Sequence, residues 1–209
     1  MESVGCDNVA QRKRRALRAV FTPDRRTVAR CLFAAALLLT ACGRADKPQV
    51  GGPFHLVDQY GQPRTERLLK GKWTAVFFGY TYCPDVCPAT LQMLSDAEDR
   101  LGPKAQNLQV VFVTIDPQRD TPTQLRDYLS SSAFPKGTIG LTGSPAEIAQ
   151  AAKAYHAFYK QEGTGQDYSM EHTSAVYLMN PRGRFNRVLA YGLTPDDTAR
   201  LISEAMREG

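Results

Sequence analysis

Cysteine is scarce where it would matter to a fold. The 209 residues hold five, and three of them, Cys6, Cys31 and Cys42, precede residue 43. The remainder of the chain keeps only Cys83 and Cys87. That excludes a disulfide-stapled scaffold, and a domain of this length can build its own core. A membrane-spanning run is also lacking: such a span takes about 20 apolar residues, and Cys31 to Ala41 offers 11. Net charge is absent from most of the chain. The formal +5 lies wholly in residues 1–41, with eight Lys/Arg against three Asp/Glu, while residues 42–209 carry 18 of each. A formally neutral domain argues against nucleic-acid binding. No internal repeat or low-complexity tract is present, which excludes a solenoid.

The first 41 residues read as an export leader. Arg25, Arg26 and Arg30 form a basic flank before the short apolar run, the pattern of a signal segment. Arg25-Arg26-Thr27-Val28 weakly resembles a twin-arginine signal. Leu39-Thr40-Ala41-Cys42 resembles a bacterial lipobox, so Cys42 is the expected lipidation site. The expected organisation is a leader over 1–41, a tether over 42–52 and a domain over 53–209. The expected location is the extracytoplasmic face of a bacterial membrane, held there by the lipid. In that oxidising setting a single close cysteine pair implies a disulfide, a redox couple or a metal site.

The domain alternates strand and helix signals. Phe54–Asp58 alternates like a short strand, and Trp73–Tyr80 and Leu108–Ile115 are apolar runs of the kind buried in the middle of a sheet. Ala89, Leu91, Met93, Leu94, Ala97 and Leu101 mark a helix that stops at Gly102-Pro103. Pro84 suits that helix's first position, with Asp85 as a helix-start carboxylate. Thr121-Pro122 opens a second helix, and Ser144-Pro145-Ala146-Glu147 is a capping box opening a third. Ile139–Thr142 reads as a short strand, His156–Gln161 as a further one, and Gly163-Thr164-Gly165 as a loop. Ala175–Met179 and Phe185–Ala190 flank an Asn180-Pro181-Arg182-Gly183 hairpin, and Thr194 caps the final helix. The expected fold is α/β, a thioredoxin-like three-layer sandwich with a central mixed β-sheet.

Chemistry concentrates in three motifs. Cys83-x-x-x-Cys87 follows the first buried strand, and residues four apart share one helical face. Exposed N–H groups and the dipole at a helix start favour thiolate there. Asp116-Pro117-x-Arg119-Asp120-Thr121-Pro122 follows the second strand, and Tyr168-x-x-Glu171-His172-Thr173-Ser174 precedes the Ala175–Met179 strand. In this order and spacing they resemble the Sco/SenC family of copper proteins, over about residues 50 to 207. The Phe-Gly-Tyr-Thr approach to the cysteines and Gly140-Leu141-Thr142-Gly143 belong to the same resemblance. It implies a metallochaperone with copper, Cu(I) or Cu(II), held by Cys83, Cys87 and His172. It also implies service to the copper-A-bearing subunit of cytochrome c oxidase, with other copper chaperones or thiol reductases as further partners.

The residues agree with this reading and leave alternatives open. Soft thiolates select Cu(I), and imidazole suits either copper state. A structural zinc site wants four ligands, and no fourth is evident. His172 stands 85 positions beyond Cys87, so only the fold can join them. His55 and His156 lack a motif and read as structural or solvated. Met170 reads as packing. Asp116, Arg119 and Asp120 read as braces for the loop after the second strand. The chief alternative is a thiol–disulfide oxidoreductase in which Cys83 and Cys87 cycle through a disulfide to keep the oxidase copper-site cysteines reduced. A thiol peroxidase is disfavoured by the paired site.

Overall fold

The computed structural model describes residues 49–208. The expected leader and Cys42 lie outside them. The end of the expected tether is already pinned, since Gly51 N–H donates to Ala154 O at 2.8 Å.

Nine strands and four α-helices follow in order. They are β1 (His55–Asp58), β2 (Pro63–Thr65), β3 (Trp73–Gly79), α1 (Val86–Leu101), β4 (Leu108–Thr114), α2 (Pro122–Leu129), β5 (Ile139–Thr142) and α3 (Pro145–Ala154). β6 (Tyr159–Glu162), β7 (Ser169–His172), β8 (Val176–Met179), β9 (Phe185–Leu189) and α4 (Pro195–Glu208) complete the described residues. Seven strands form one sheet in the order β2-β1-β5-β4-β3-β8-β9. β3, β4 and β5 run parallel, and the other pairs are antiparallel, so the sheet is mixed, as expected.

The two apolar runs occupy the middle of this sheet because every residue of β3 is buried, and all but one of β4. Register aligns Phe77 with Phe112, and Phe112 with Gly140. That face meets α1 and α2: Gly79 abuts Cys87, and Gly140 abuts Leu125 and Leu129. The opposite face carries Phe78 and Tyr177, which pack on Tyr155 at the end of α3. α4 lies along α1, tied by Thr198 Oγ1 to Met93 Sδ at 3.1 Å. Helix, sheet and helix make three layers.

The local signals act as their chemistry dictates. Ser144 and Glu147 form both halves of the capping box. Thr121 Oγ1 accepts from Gln124 N–H at 3.2 Å, with Pro122 at the first helical position. One reading is corrected and one strand is added. Helix α1 begins at Val86, so Pro84 lies in the loop before it and not in its first turn. Asp85 occupies the N-cap of α1, the helix-start carboxylate expected there, without a side-chain hydrogen bond to the helix. β7, in a stretch for which no strand was expected, pairs with β6 in a two-stranded sheet of its own.

Candidate metal centre

β3 delivers the cysteine loop to the carboxyl end of the parallel strands. Cys83 stands in that loop, three residues before α1, and its N–H donates to Tyr80 O at 3.3 Å. Cys87 sits in the first turn of α1, fully buried, while Cys83 lies at the rim with 9% exposure. The orphan N–H of Cys87 donates to Cys83 Sγ at 3.3 Å, so the helix start supports negative charge on that sulfur. Both cysteines are free thiols here. Gly79 makes the burial of Cys87 possible: a β-carbon there would lie 2.7 Å from the sulfur and 2.9 Å from the Phe112 ring.

His172 ends β7, and its Nε2 lies 3.6 Å from Cys87 Sγ. Its Nδ1 is 3.0 Å from Thr173 O. A carbonyl only accepts, so Nδ1 carries the proton and Nε2 presents a lone pair to the sulfurs. The edges of Phe77 and Tyr80 fix the ring, with centroids 6.2 and 5.9 Å away. The donor atoms of Cys83, Cys87 and His172 all lie within 4.8 Å of one another. Thiolate and imidazole donors about 2.0–2.3 Å from a metal stand roughly 4 Å apart, so this set fits one ion. His55 and His156 are both exposed and take no part in the cluster.

The two sulfurs share their charge unequally. The hydrogen bond from the Cys87 thiol, with help from the helix-start N–H groups, pulls Cys83 down to about 4. The same bond, together with complete burial, pushes Cys87 far up. One thiolate, placed on the outer sulfur, is the resting state of the pair.

The second motif holds this loop from beneath. Asp120, fully buried, accepts from Thr81 N–H at 3.0 Å, Thr81 Oγ1 at 2.6 Å and Thr114 Oγ1 at 2.6 Å. Burial raises its pKa against those three donors. Asp116 pairs with Arg119 at 2.5 Å and accepts from Tyr168 O–H at 2.6 Å. Bracing was the expected role for these residues. The aromatic half of the arrangement had no local signal. The Arg119 guanidinium stands 3.6 Å from the Tyr168 ring centroid, 4.6 Å from that of Tyr82 and 5.8 Å from that of Tyr80. Met170 packs against the core, as read.

A family model described as SCO1/SenC matches residues 43–207. The mitochondrial protein SCO1 homolog 1 of Arabidopsis thaliana is 41% identical over 154 residues, 73% of this chain and 45% of its own length. The solved structure of Bradyrhizobium japonicum ScoI with copper bound superposes with a TM-score of 0.68 at 41% identity, covering 75% of this chain and 99% of that one. BsSco, described with a disulfide switch and as a member of the Sco family of cytochrome c oxidase assembly proteins, gives a TM-score of 0.62 at 26% identity, covering 77% and 94%. The chain spans about half the length of the first curated relatives it matches. These relatives also correct the expected location. Those from Arabidopsis thaliana, Saccharomyces cerevisiae and Homo sapiens are mitochondrial, so the lipid-anchored placement on a bacterial membrane does not stand. Among the described residues no helix is long and apolar enough to cross a membrane.

Proposed function

The chain belongs to the SCO1/SenC family, and on that premise we propose that its domain carries one copper ion on Cys83, Cys87 and His172 for assembly of cytochrome c oxidase. The receiving partner in this reading is the copper-A-bearing subunit, and other copper chaperones or thiol reductases load or reduce the site. The observation that carries the proposal is the third donor. His172 Nε2 stands 3.6 Å from Cys87 Sγ with Nδ1 committed to a carbonyl, an arrangement that serves a metal and that a dithiol couple does not need. Two soft sulfurs hold Cu(I), and the imidazole adds the nitrogen that Cu(II) prefers. One sulfur already favours the thiolate. Loading therefore releases about one proton, from Cys87. With three donors on the ion, one side stays open to an incoming ligand from the receiving protein.

Copper titration of the reduced domain tests this directly. One equivalent bound, with sulfur-to-copper charge-transfer bands for Cu(II), supports it. Failure to bind copper at one equivalent overturns it.

A second reading rests on the unequal sulfurs. A low-pKa outer thiol beside a buried, high-pKa partner is also the pattern of an attacking and a resolving cysteine. In that reading Cys83 attacks a disulfide on the oxidase subunit, and Cys87 displaces the reduced subunit thiol to leave a Cys83–Cys87 disulfide. Complementation of a deletion strain separates the two. A copper carrier with His172→Ala fails at low copper and recovers in part when copper is added. A reductase with the same change keeps its activity at low copper.

A further inference from the structure

The histidine donor is mounted apart from the sulfur donors. It ends β7, which among the described residues pairs only with β6, and there no strand of the seven-stranded sheet is hydrogen-bonded to either. The bonds at the base of this hairpin, Thr173 N–H to Phe158 O at 2.9 Å and Phe158 N–H to Thr173 Oγ1 at 3.0 Å, join it to itself. The sulfurs belong to the β3–α1 junction. An imidazole held against them needs a link between these two pieces.

The Phe77 and Tyr80 edges touch the imidazole itself, and one charged side chain bridges the hairpin turn to the cysteine loop. Arg119 lies mostly buried, 15% exposed, in the loop after β4. Its Nη1 donates to Tyr168 O at 3.0 Å and Gln166 O at 3.3 Å, both in the turn of the hairpin. Its face covers the Tyr168 ring on the hairpin and reaches Tyr82, the neighbour of Cys83. Asp116 closes the cluster by holding Arg119 Nε and Tyr168 O–H together. Nη2 is buried without a hydrogen-bond acceptor, and the aromatic faces join Asp116 in compensating the guanidinium charge. An arginine that braced only its own loop would need Asp116 alone. The contacts to residues 166, 168 and 82 go beyond that.

We propose that Arg119 is the positioning residue for the His172 donor, clamping the β6–β7 hairpin to the cysteine loop so that Nε2 faces the sulfurs. This deepens the copper reading, and its first readout does not depend on that reading. In the metal-free protein, Arg119→Met removes the fork and the charge while keeping the stem. Amide hydrogen exchange over residues 159–172 is expected to quicken about tenfold or more, with β3 and β4 unchanged. In the copper-loaded protein, Cu(II) affinity is expected to fall about tenfold, the range seen for groups that orient a metal-ligating histidine. The nitrogen hyperfine signal should weaken, and Cu(I) capacity should hold. Adding His172→Ala to Arg119→Met should cost nothing beyond His172→Ala alone. Tyr168→Phe removes only the O–H to Asp116; it should show the same pattern at smaller amplitude, and it decides the matter if Arg119→Met does not fold. Unchanged exchange in the hairpin, or losses of Cu(II) affinity that multiply in the double variant, would overturn the clamp. If the wild-type protein shows no nitrogen on Cu(II), the ligand reading fails, and hairpin exchange alone then decides the clamp.

Discussion

Cys87 fills the space that residue 79 leaves by having no side chain: a β-carbon on Gly79 would stand 2.7 Å from the Cys87 sulfur. Both neighbours of that missing atom are rigid, a first-turn helical sulfur and the buried Phe112 ring. Gly79→Ala must move α1 or the ring. Overpacking of this kind costs about 1–3 kcal/mol. Urea unfolding should show that loss, and copper uptake by the reduced protein should weaken with it. Wild-type stability together with wild-type copper binding would contradict the packing argument.

Removing the imidazole should split the two copper states. His172→Ala leaves two sulfurs, which suffice for Cu(I) but offer Cu(II) no nitrogen. Competition titrations are expected to show a loss of Cu(II) affinity at least tenfold larger than the loss of Cu(I) affinity, on the order of 1.4 kcal/mol of difference. Equal retention of both would remove His172 from the ligand set. Cys83→Ser or Cys87→Ser should abolish tight binding of either state.

The thiolate on Cys83 makes a pH prediction with a definite sign. Its folded value lies near 4, against an ordinary thiol value near 9. The native state therefore binds fewer protons at this position between those values, and stability from it is present above about 9 and lost as pH falls toward 4. Cys87 is shifted upward, so its contribution is lost only on the alkaline side. Alkylation of the reduced protein by iodoacetamide should hold its neutral-pH rate at Cys83 down to about pH 5 and then decline. A rate climbing about tenfold per unit from pH 5 to 8, as for an ordinary thiol, would refute the assignment.

Asp120 is the anchor of the cysteine loop. Asp120→Asn keeps the volume but turns one acceptor oxygen into a donor facing Thr81 or Thr114. Leaving such buried groups unsatisfied costs about 1–3 kcal/mol. Denaturant unfolding checks the magnitude. Copper binding should weaken too, because Thr81 is two residues from Cys83.

Much of this was legible in the sequence because it is local. Trp73–Gly79 and Leu108–Thr114 are strands that their apolar runs announce, and Ser144 with Glu147 marks its helix start within four residues. The cysteine pair stands out by spacing alone. β7 did not, because Ser169-Met170-Glu171-His172 alternates between exposed and half-buried positions and faces another polar strand, so no apolar period reveals it. The Arg119 cluster is hidden for a different reason. Tyr168 lies 52 residues from Asp116, and nothing local in either segment points to the other. Pro84 misled because a proline before an amphipathic run usually opens the helix. Here it stays outside, which leaves Cys83 free to receive the Cys87 N–H.

The unequal depth of the two sulfurs imposes an order on any exchange with another molecule. Cys87 is wholly enclosed and Cys83 keeps a 9% exposed edge, so an outside nucleophile or thiol meets Cys83 first. In either exchange the first new bond forms at Cys83; a passing metal would break its last old bond at Cys87, whereas a disulfide exchange ends as Cys87 bonds to Cys83 and the mixed disulfide at Cys83 breaks. Direction is thus built into the sequence of bond changes, and a visiting protein need supply only a single well-aimed sulfur to begin.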